Sequence, residues 1–128
     1  MSWEALARAR YLNLETYRRD GTAVRTPLWF AVDGDGTVFV YSRADAFKVK
    51  RLRRTKRCRV AACDVRGKVL GPWLEATAEV VAGEEAARGM GLLDRRYWPW
   101  KQMLGVLARL RPGAGRVVIA IRKEAVLF

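Results

Sequence analysis

Turn signals constrain this chain more than any other feature. From residue 11 to residue 82, short alternating stretches recur between tight-turn motifs. "RYLNLETYRR" puts Leu12, Leu14 and Thr16 on one face and Tyr11, Asn13, Glu15 and Tyr17 on the other, which is strand periodicity. "RDGT" follows, and Asp20-Gly21 is a hairpin signal. "AVRTPLWFAV" reads as a second strand. Pro27 has no N–H to give to a ladder, so this strand lies at an edge or is bulged there. "DGDG", Asp33 to Gly36, is a further hairpin turn. It lacks the additional oxygen ligands and the distant glutamate of a calcium loop. "TVFVYS", "CRVAACDV" and "PWLEATAEVV" continue the series, with "RGK" as the turn after the fourth strand. "GRVVIAIRKEAVLF" closes it with β-branched Val117, Val118 and Ile119.

Helical patterns interrupt the strands at three places. Residues 3 to 9 form a short helix that Ser2 is placed to cap. "RADAFKVKRLRRTKR" follows the third strand. Here Asp45 is the expected N-cap, and Val49 and Leu52 anchor one face. "GEEAARGMGLLDRRYW" and "PWKQMLGVLARLRPG" form a helical insertion divided near Pro99, and Glu84 and Glu85 suit the dipole at its start. The order is therefore four or five antiparallel strands, a helical insertion and a last strand. It predicts a mainly β (α+β) fold, a small antiparallel barrel that leaves few edges exposed. A length of 128 residues suits one domain over residues 1–128, and the 51% hydrophobic content is enough for a core without staples.

Composition excludes several chemistries. The chain has no histidine, which removes histidine metal sites, serine–histidine hydrolysis and imidazole acid–base catalysis. Cys58 and Cys63 are five residues apart in one strand, so they face opposite sides and do not bridge each other. Free buried thiols in a reducing compartment are the simplest reading. The start, "MSWEALARAR", has no apolar signal core, and no apolar run is long enough to span a bilayer. A soluble cytoplasmic protein is expected.

Charge is concentrated. "KVKRLRRTKR", Lys48 to Arg57, supplies seven cations and no acid to a chain of net charge +12. Such a segment can serve nucleic acid, a compact phosphorylated ligand, or only solubility. A nucleic-acid barrel could stack bases on Trp29, Phe39 and Tyr41, but no helix-turn-helix, zinc spacing or aromatic RNA-binding signature accompanies the charge. A compact anion would instead sit where the third strand enters the basic helix. There Ser42 adds a hydroxyl, and Lys48 and Lys50 lie just inside the helix start. Arg53, Arg54, Lys56 and Arg57 read more readily as a solvated face.

The segment "GTAVRTPLWFAVDGDGTVFVYSRADAFKVKRLRRTKRCRVAACDVRGKVLGPWLEATAEVV" resembles the flavin-binding split-barrel superfamily typified by pyridoxamine 5′-phosphate oxidase. It is most similar to the actinobacterial branch of deazaflavin (coenzyme F420)-dependent oxidoreductases. The resemblance spans residues 9 to 82 and rests on "TPLWF", "VYSRADAFKVKRLRR" and "CDVRGK" in that order. It implies a homodimer of six-stranded split barrels of Greek-key topology, with cofactor sites between the subunits. It also implies that Arg25, Thr26, Pro27, Leu28 and Trp29 line the flavin-like ring, and that Tyr41 and Ser42 sit beside the ring and phosphate. Lys48 falls where the family places a phosphate lysine, and Lys50 where it often has a second basic contact. The oxidases usually carry serine-arginine immediately before that lysine; here Ala46-Phe47 stand instead, which weakens the case for FMN. F420 has a phosphodiester and an oligoglutamate tail, which gives Arg51, Arg54 and their neighbours an anion to meet.

The resemblance thus points to an F420-dependent oxidoreductase acting on an electron-poor small molecule. An FMN-dependent reductase or oxidase is the alternative, and a non-enzymatic nucleic-acid barrel stands behind both. Reduced deazaflavin delivers hydride from its own ring, so a chain without histidine suits this chemistry. Trp73, Tyr97, Trp98 and Trp100 either shape a substrate pocket or pack the insertion and the dimer interface. Cys63 and Asp64 read as a buried thiol and a turn-capping aspartate.

Overall fold

A computed structural model of the chain describes residues 3, 6, 8–43, 45–97 and 116–123. Seven strands form one antiparallel sheet: β1 (Tyr11–Tyr17), β2 (Ala23–Trp29), β3 (Ala31–Val32), β4 (Val38–Arg43), β5 (Arg57–Cys63), β6 (Leu74–Val81) and β7 (Arg116–Lys123). Among the described residues two helices interrupt them, α1 (Phe47–Arg54) and α2 (Gly83–Tyr97). The strand order is β2-β1-β5-β6-β7-β4-β3. β2 and β3 stand at opposite ends of that order, yet only Phe30 separates them in the chain. A flat sheet would hold its two edges roughly 29 Å apart, at about 4.8 Å per strand, and one residue spans only about 3.5 Å. The sheet must therefore curl until its edges meet, which is the expected barrel.

Six strands were expected and seven are present because one predicted strand is divided. "AVRTPLWFAV" breaks at Phe30, whose ring is wholly buried in the barrel core, and the chain crosses there from one sheet edge to the other. Pro27 lies on β2 opposite Asn13 of β1, and β2 is an edge strand, as an N–H-less residue requires. The closing strand came from the far end of the sequence as expected: β7 lies between β6 and β4.

Alternation sorts the strands' side chains into two cores. Leu12, Leu14, Val38, Val40, Cys58, Val60, Ala76, Ala78, Ile119 and Ile121 fill the interior. Val49 and Leu52 of α1 join the same cluster, so this helix plugs one end of the barrel with the face predicted for it. On the outer surface Ala31, Phe39, Val118 and Ala120 meet Leu93 of α2. The close approach of α2 needs Gly89, since a Cβ there would lie 2.5 Å from Phe39 Cδ1. Glu84 and Glu85 occupy the first turn of α2, as expected.

One cap differs from expectation. α1 begins after Ala46, which makes no side-chain cap bond. The helix starts too late for Asp45 to cap it, and the Asp45 carboxylate instead accepts a hydrogen bond from Arg43 at 3.2 Å. The turn of Asp33–Gly36 is a hairpin: the Gly36 N–H donates to the Asp33 carbonyl, and Gly36 adopts φ 89°. Most of the expected N-terminal helix, including Ser2, and the second half of the helical insertion lie outside the described residues. Among the described residues no helix is long and apolar enough to cross a membrane.

Candidate functional site

The hairpin between β1 and β2 ends in Arg18-Arg19, beside Asp20-Gly21, and leans over α1. The cleft between them has a volume of about 420 Å³ and is lined by Arg18, Arg19, Phe47, Lys50, Arg51 and Arg54. Phe47, Lys50, Arg51 and Arg54 follow i, i+3, i+4, i+7 spacing, one stripe of the helix. Val49 and Leu52 occupy the opposite, buried stripe, so core packing is what turns the cationic stripe toward the hairpin. Five cations and no carboxylate line the cleft.

Two hydrogen bonds fix α1 to β1. Arg51 Nε donates to the hydroxyl of buried Thr16 at 2.7 Å, and Arg54 Nη2 donates to the Tyr17 carbonyl at 2.5 Å. Burial and the nearby Arg18 charge both lower the Arg51 pKa, the mark of a cation short of anions. Lys50 Nζ stands 5.4 Å from the centre of the Phe47 ring, and that ring is 73% exposed. The cleft thus offers crowded cations beside an accessible aromatic face, a donor set suited to a polyanion.

The residues expected at the site divide among four places. Lys50 and Arg51 lie in the cleft, where Arg18, Arg19 and Arg54 join them. Lys48 is half-buried on α1 and is not among the cleft-lining side chains; burial first, and Arg51 second, push its pKa down. The β2 run alternates. Leu28 packs against the barrel core, and Thr26 shares its side of the strand. Arg25, Pro27 and Trp29 share the outer side with their cross-strand neighbours Glu15, Asn13 and Tyr11. Tyr41 and Ser42 likewise take opposite faces of β4. Ser42 is buried, whereas Tyr41 packs beside α2 with the Arg116 guanidinium 5.2 Å from its ring centre. Burial raises the Tyr41 pKa.

On the outer wall the structure joins Arg25 to Trp73. Wholly buried Glu15, which the sequence reading left without a role, accepts hydrogen bonds from Arg25, Arg59 and Tyr17. Burial works to raise its pKa, but the two guanidiniums and the Tyr17 hydroxyl prevail and hold it at about 2. Tyr97 ends α2, and Trp98 and Trp100 lie outside the described residues. Arg18, Arg19 and Arg59 were also not anticipated. A basic pair directly before Asp20-Gly21 was the available signal for the first two, because a hairpin tip projects from a barrel end.

Neither cysteine belongs to the site. Cys58 is inside the barrel, where burial raises its thiol to about 12, and Cys63 is also buried and raised. Asp64 caps its turn as expected, accepting from the N–H groups of Arg66 and Lys68 at 2.9 Å each. Among the described residues no cluster of cysteine, aspartate and glutamate could hold a metal ion.

No protein-family model and no curated protein matches this sequence. Solved structures do match. A Listeria innocua protein named for pyridoxamine 5′-phosphate oxidase is 18% identical with a TM-score of 0.66, over 95% of this chain and 90% of that one. An F420 reductase is 21% identical with a TM-score of 0.60, over 98% and 95%. HutZ, a haem storage protein of Vibrio cholerae, is 16% identical with a TM-score of 0.70, over 98% and 89%. At such identities the likeness carries the fold and not the ligand. The chain has the split-barrel fold of the pyridoxamine 5′-phosphate oxidase-like proteins.

Proposed function

We propose that this chain is an oxidoreductase that binds a deazaflavin of the F420 type and exchanges hydride with an electron-poor small molecule. The observation that carries this reading is the cleft: five cations, no carboxylate and an exposed aromatic ring at the end of a split barrel. F420 offers a phosphodiester and a chain of carboxylates, a linear polyanion suited to Arg18, Arg19, Lys50, Arg51 and Arg54. When bound, the cofactor supplies hydride chemistry from its own ring. The tasks left to the protein are binding, orientation and exclusion of water. In this reading the outer side of β2, with Arg25, Pro27 and Trp29, is nearest the ring, and Thr26 and Leu28 support it from within. Lys48 is kept in this reading as a phosphate contact beside the cleft residues, whereas Tyr41 and Ser42, on opposite faces of β4, do not both reach one ligand within this chain. FMN is the second cofactor on this reading, since the fold also occurs in a protein named for pyridoxamine 5′-phosphate oxidase.

The reading includes a homodimer. Val65 and Leu70 are 65% and 64% exposed in the segment between β5 and β6 that also carries Trp73, and a second copy would cover them. Sedimentation at micromolar concentration should give twice the monomer mass of 14.5 kDa.

The decisive experiment titrates dialysed protein with F420 and with FMN and follows cofactor fluorescence. Saturable F420 binding, weakened about tenfold or more by Lys50→Ala, is expected from the loss of a charge-assisted contact. Tighter FMN binding would move the chain to the flavin branch. If neither cofactor binds and single-stranded nucleic acid does, with a steep dependence on salt, the enzyme reading fails.

A further inference from the structure

The cleft has two walls of like charge. Arg18 and Arg19 stand on the tip of the β1–β2 hairpin, and Lys50, Arg51 and Arg54 stand on α1. Asp20 is the one carboxylate of the tip, and it accepts from the Thr22 N–H at 2.9 Å without lining the cleft. With Asp20 counted, the tip still holds one excess cation against three on the helix wall. The charge of Arg18 is felt across the gap, where it helps to lower the Arg51 pKa. Among the described residues the Arg18 and Arg19 side chains make no hydrogen bond or ion pair. The bonds that join the two walls lie at the base of the tip, from Arg51 to the Thr16 hydroxyl and from Arg54 to the Tyr17 carbonyl.

The tip, residues 18–22, is built to move as one piece. The β1–β2 ladder ends at the pair Tyr17 and Ala23. Beyond it the Arg18 N–H donates to the Thr22 carbonyl and the Gly21 N–H to the Arg18 carbonyl, both at 2.9 Å. Gly21 takes φ 88°, which lets the chain reverse there. These bonds keep the shape of the tip and tie it to nothing beyond. Every residue of the tip is exposed, so no apolar packing holds it against the barrel. Like charge on both walls favours their separation, and anions that touch both walls reverse the sign. A ligand shifts such an equilibrium only through contacts that it makes better in one state. A chain of carboxylates reaches cations of both walls once they close on it. A single phosphate is satisfied by the cations of one wall and gains little from closure.

We propose that the hairpin tip is a charge-gated clamp, which closes on α1 when one ligand sets anionic groups against both walls, and that Arg18 and Arg19 thereby select linear polyanions over single phosphates. The clamp deepens the cleft reading given above and rests on it for the anionic chain, whichever ring that chain carries.

The test places nitroxide labels on Thr22→Cys in the tip and Arg53→Cys on α1, both exposed and outside the cleft lining. Cys58 and Cys63 are buried and do not take the label. The distance between the labels is measured by electron spin resonance on the full chain with hexaglutamate, with inorganic phosphate and with F420, at constant ionic strength. Hexaglutamate and F420 should shorten the distance and narrow its spread, and phosphate should leave both unchanged. Joint Arg18→Gln and Arg19→Gln substitution removes two charge-assisted contacts. It should weaken hexaglutamate binding about a hundredfold and abolish the shortening. Saturable hexaglutamate binding at an unchanged distance would overturn the clamp and leave the cleft reading intact. Shortening by phosphate, or no hexaglutamate binding at all, would overturn it too. Closure on hexaglutamate without F420 binding would support the clamp and remove the cofactor assignment instead.

Discussion

Replacing Glu15 by glutamine should change the acid stability of the protein in a defined way. The Glu15 carboxyl titrates at about 2 in the folded chain against 4.5 as a free side chain. At about 1.4 kcal/mol per pH unit, that difference corresponds to roughly 3 kcal/mol. Both arginines reach solvent, which screens the pairs, so about 2 kcal/mol is the better expectation. A depressed folded pKa gives stability that is fully present above the unfolded value. The contribution is therefore intact above about pH 5 and drains away as pH falls from about 4.5 toward 2. Glu15→Gln keeps the volume and one acceptor but removes the charge, and it leaves two guanidiniums facing each other. Urea unfolding at intervals from pH 7 to pH 2.5 measures the effect. The variant should be about 2 kcal/mol less stable at pH 7, and the gap should close steadily below pH 4.5. Parallel curves for the two proteins across that range would refute the reasoning, because they would mean that Glu15 is not held ionised by Arg25 and Arg59.

Other outcomes follow from the same geometry. Gly89→Ala would ordinarily favour a helix by about 1 kcal/mol, but its Cβ would meet Phe39 at 2.5 Å and Val118 at 2.9 Å. A net loss of roughly 1–3 kcal/mol is expected in thermal or urea unfolding. In the cofactor titration Lys50→Ala and Arg18→Ala should each weaken binding by about tenfold. Arg57→Ala should do much less, since Arg57 lies over the Tyr17 ring and does not line the cleft. Equal losses at Arg57 and Lys50 would indicate a diffuse basic surface. Cys58 and Cys63 should resist alkylation at pH 8 in the folded chain and react at once in denaturant, because both thiols are buried and shifted upward.

Much of the fold was legible because strands announce themselves locally. Alternation in "YLNLETY", glycine at turns that need positive φ, and a proline that excludes an interior strand position are properties of a few adjacent residues. The anchoring face of α1 was legible for the same reason: Val49 and Leu52 lie on one stripe whatever the helix packs against, and only the structure showed that it plugs the barrel end. The break at Phe30 was not legible. "LWFAV" is uniformly apolar, and only closure of the sheet decides which ring turns inward and where the chain changes edge.

The site divides along the same line. By itself the sequence determined that α1 would be strongly cationic, that Val49 and Leu52 would anchor one of its faces, and that histidine and paired-cysteine chemistry were excluded. Helical and strand periods are fixed by backbone geometry, so these conclusions needed no partners. Only the tertiary structure decided what faces the cationic stripe. Arg18 and Arg19 reach the cleft because the β1–β2 hairpin leans over the plugged end of the barrel. Glu15 finds Arg59 across 44 residues because β5 pairs with β1. The packing of α1 on the barrel likewise left Lys48 out of the cleft. Contacts between distant strands follow from the register of the whole sheet, and no local window of the sequence contains that information.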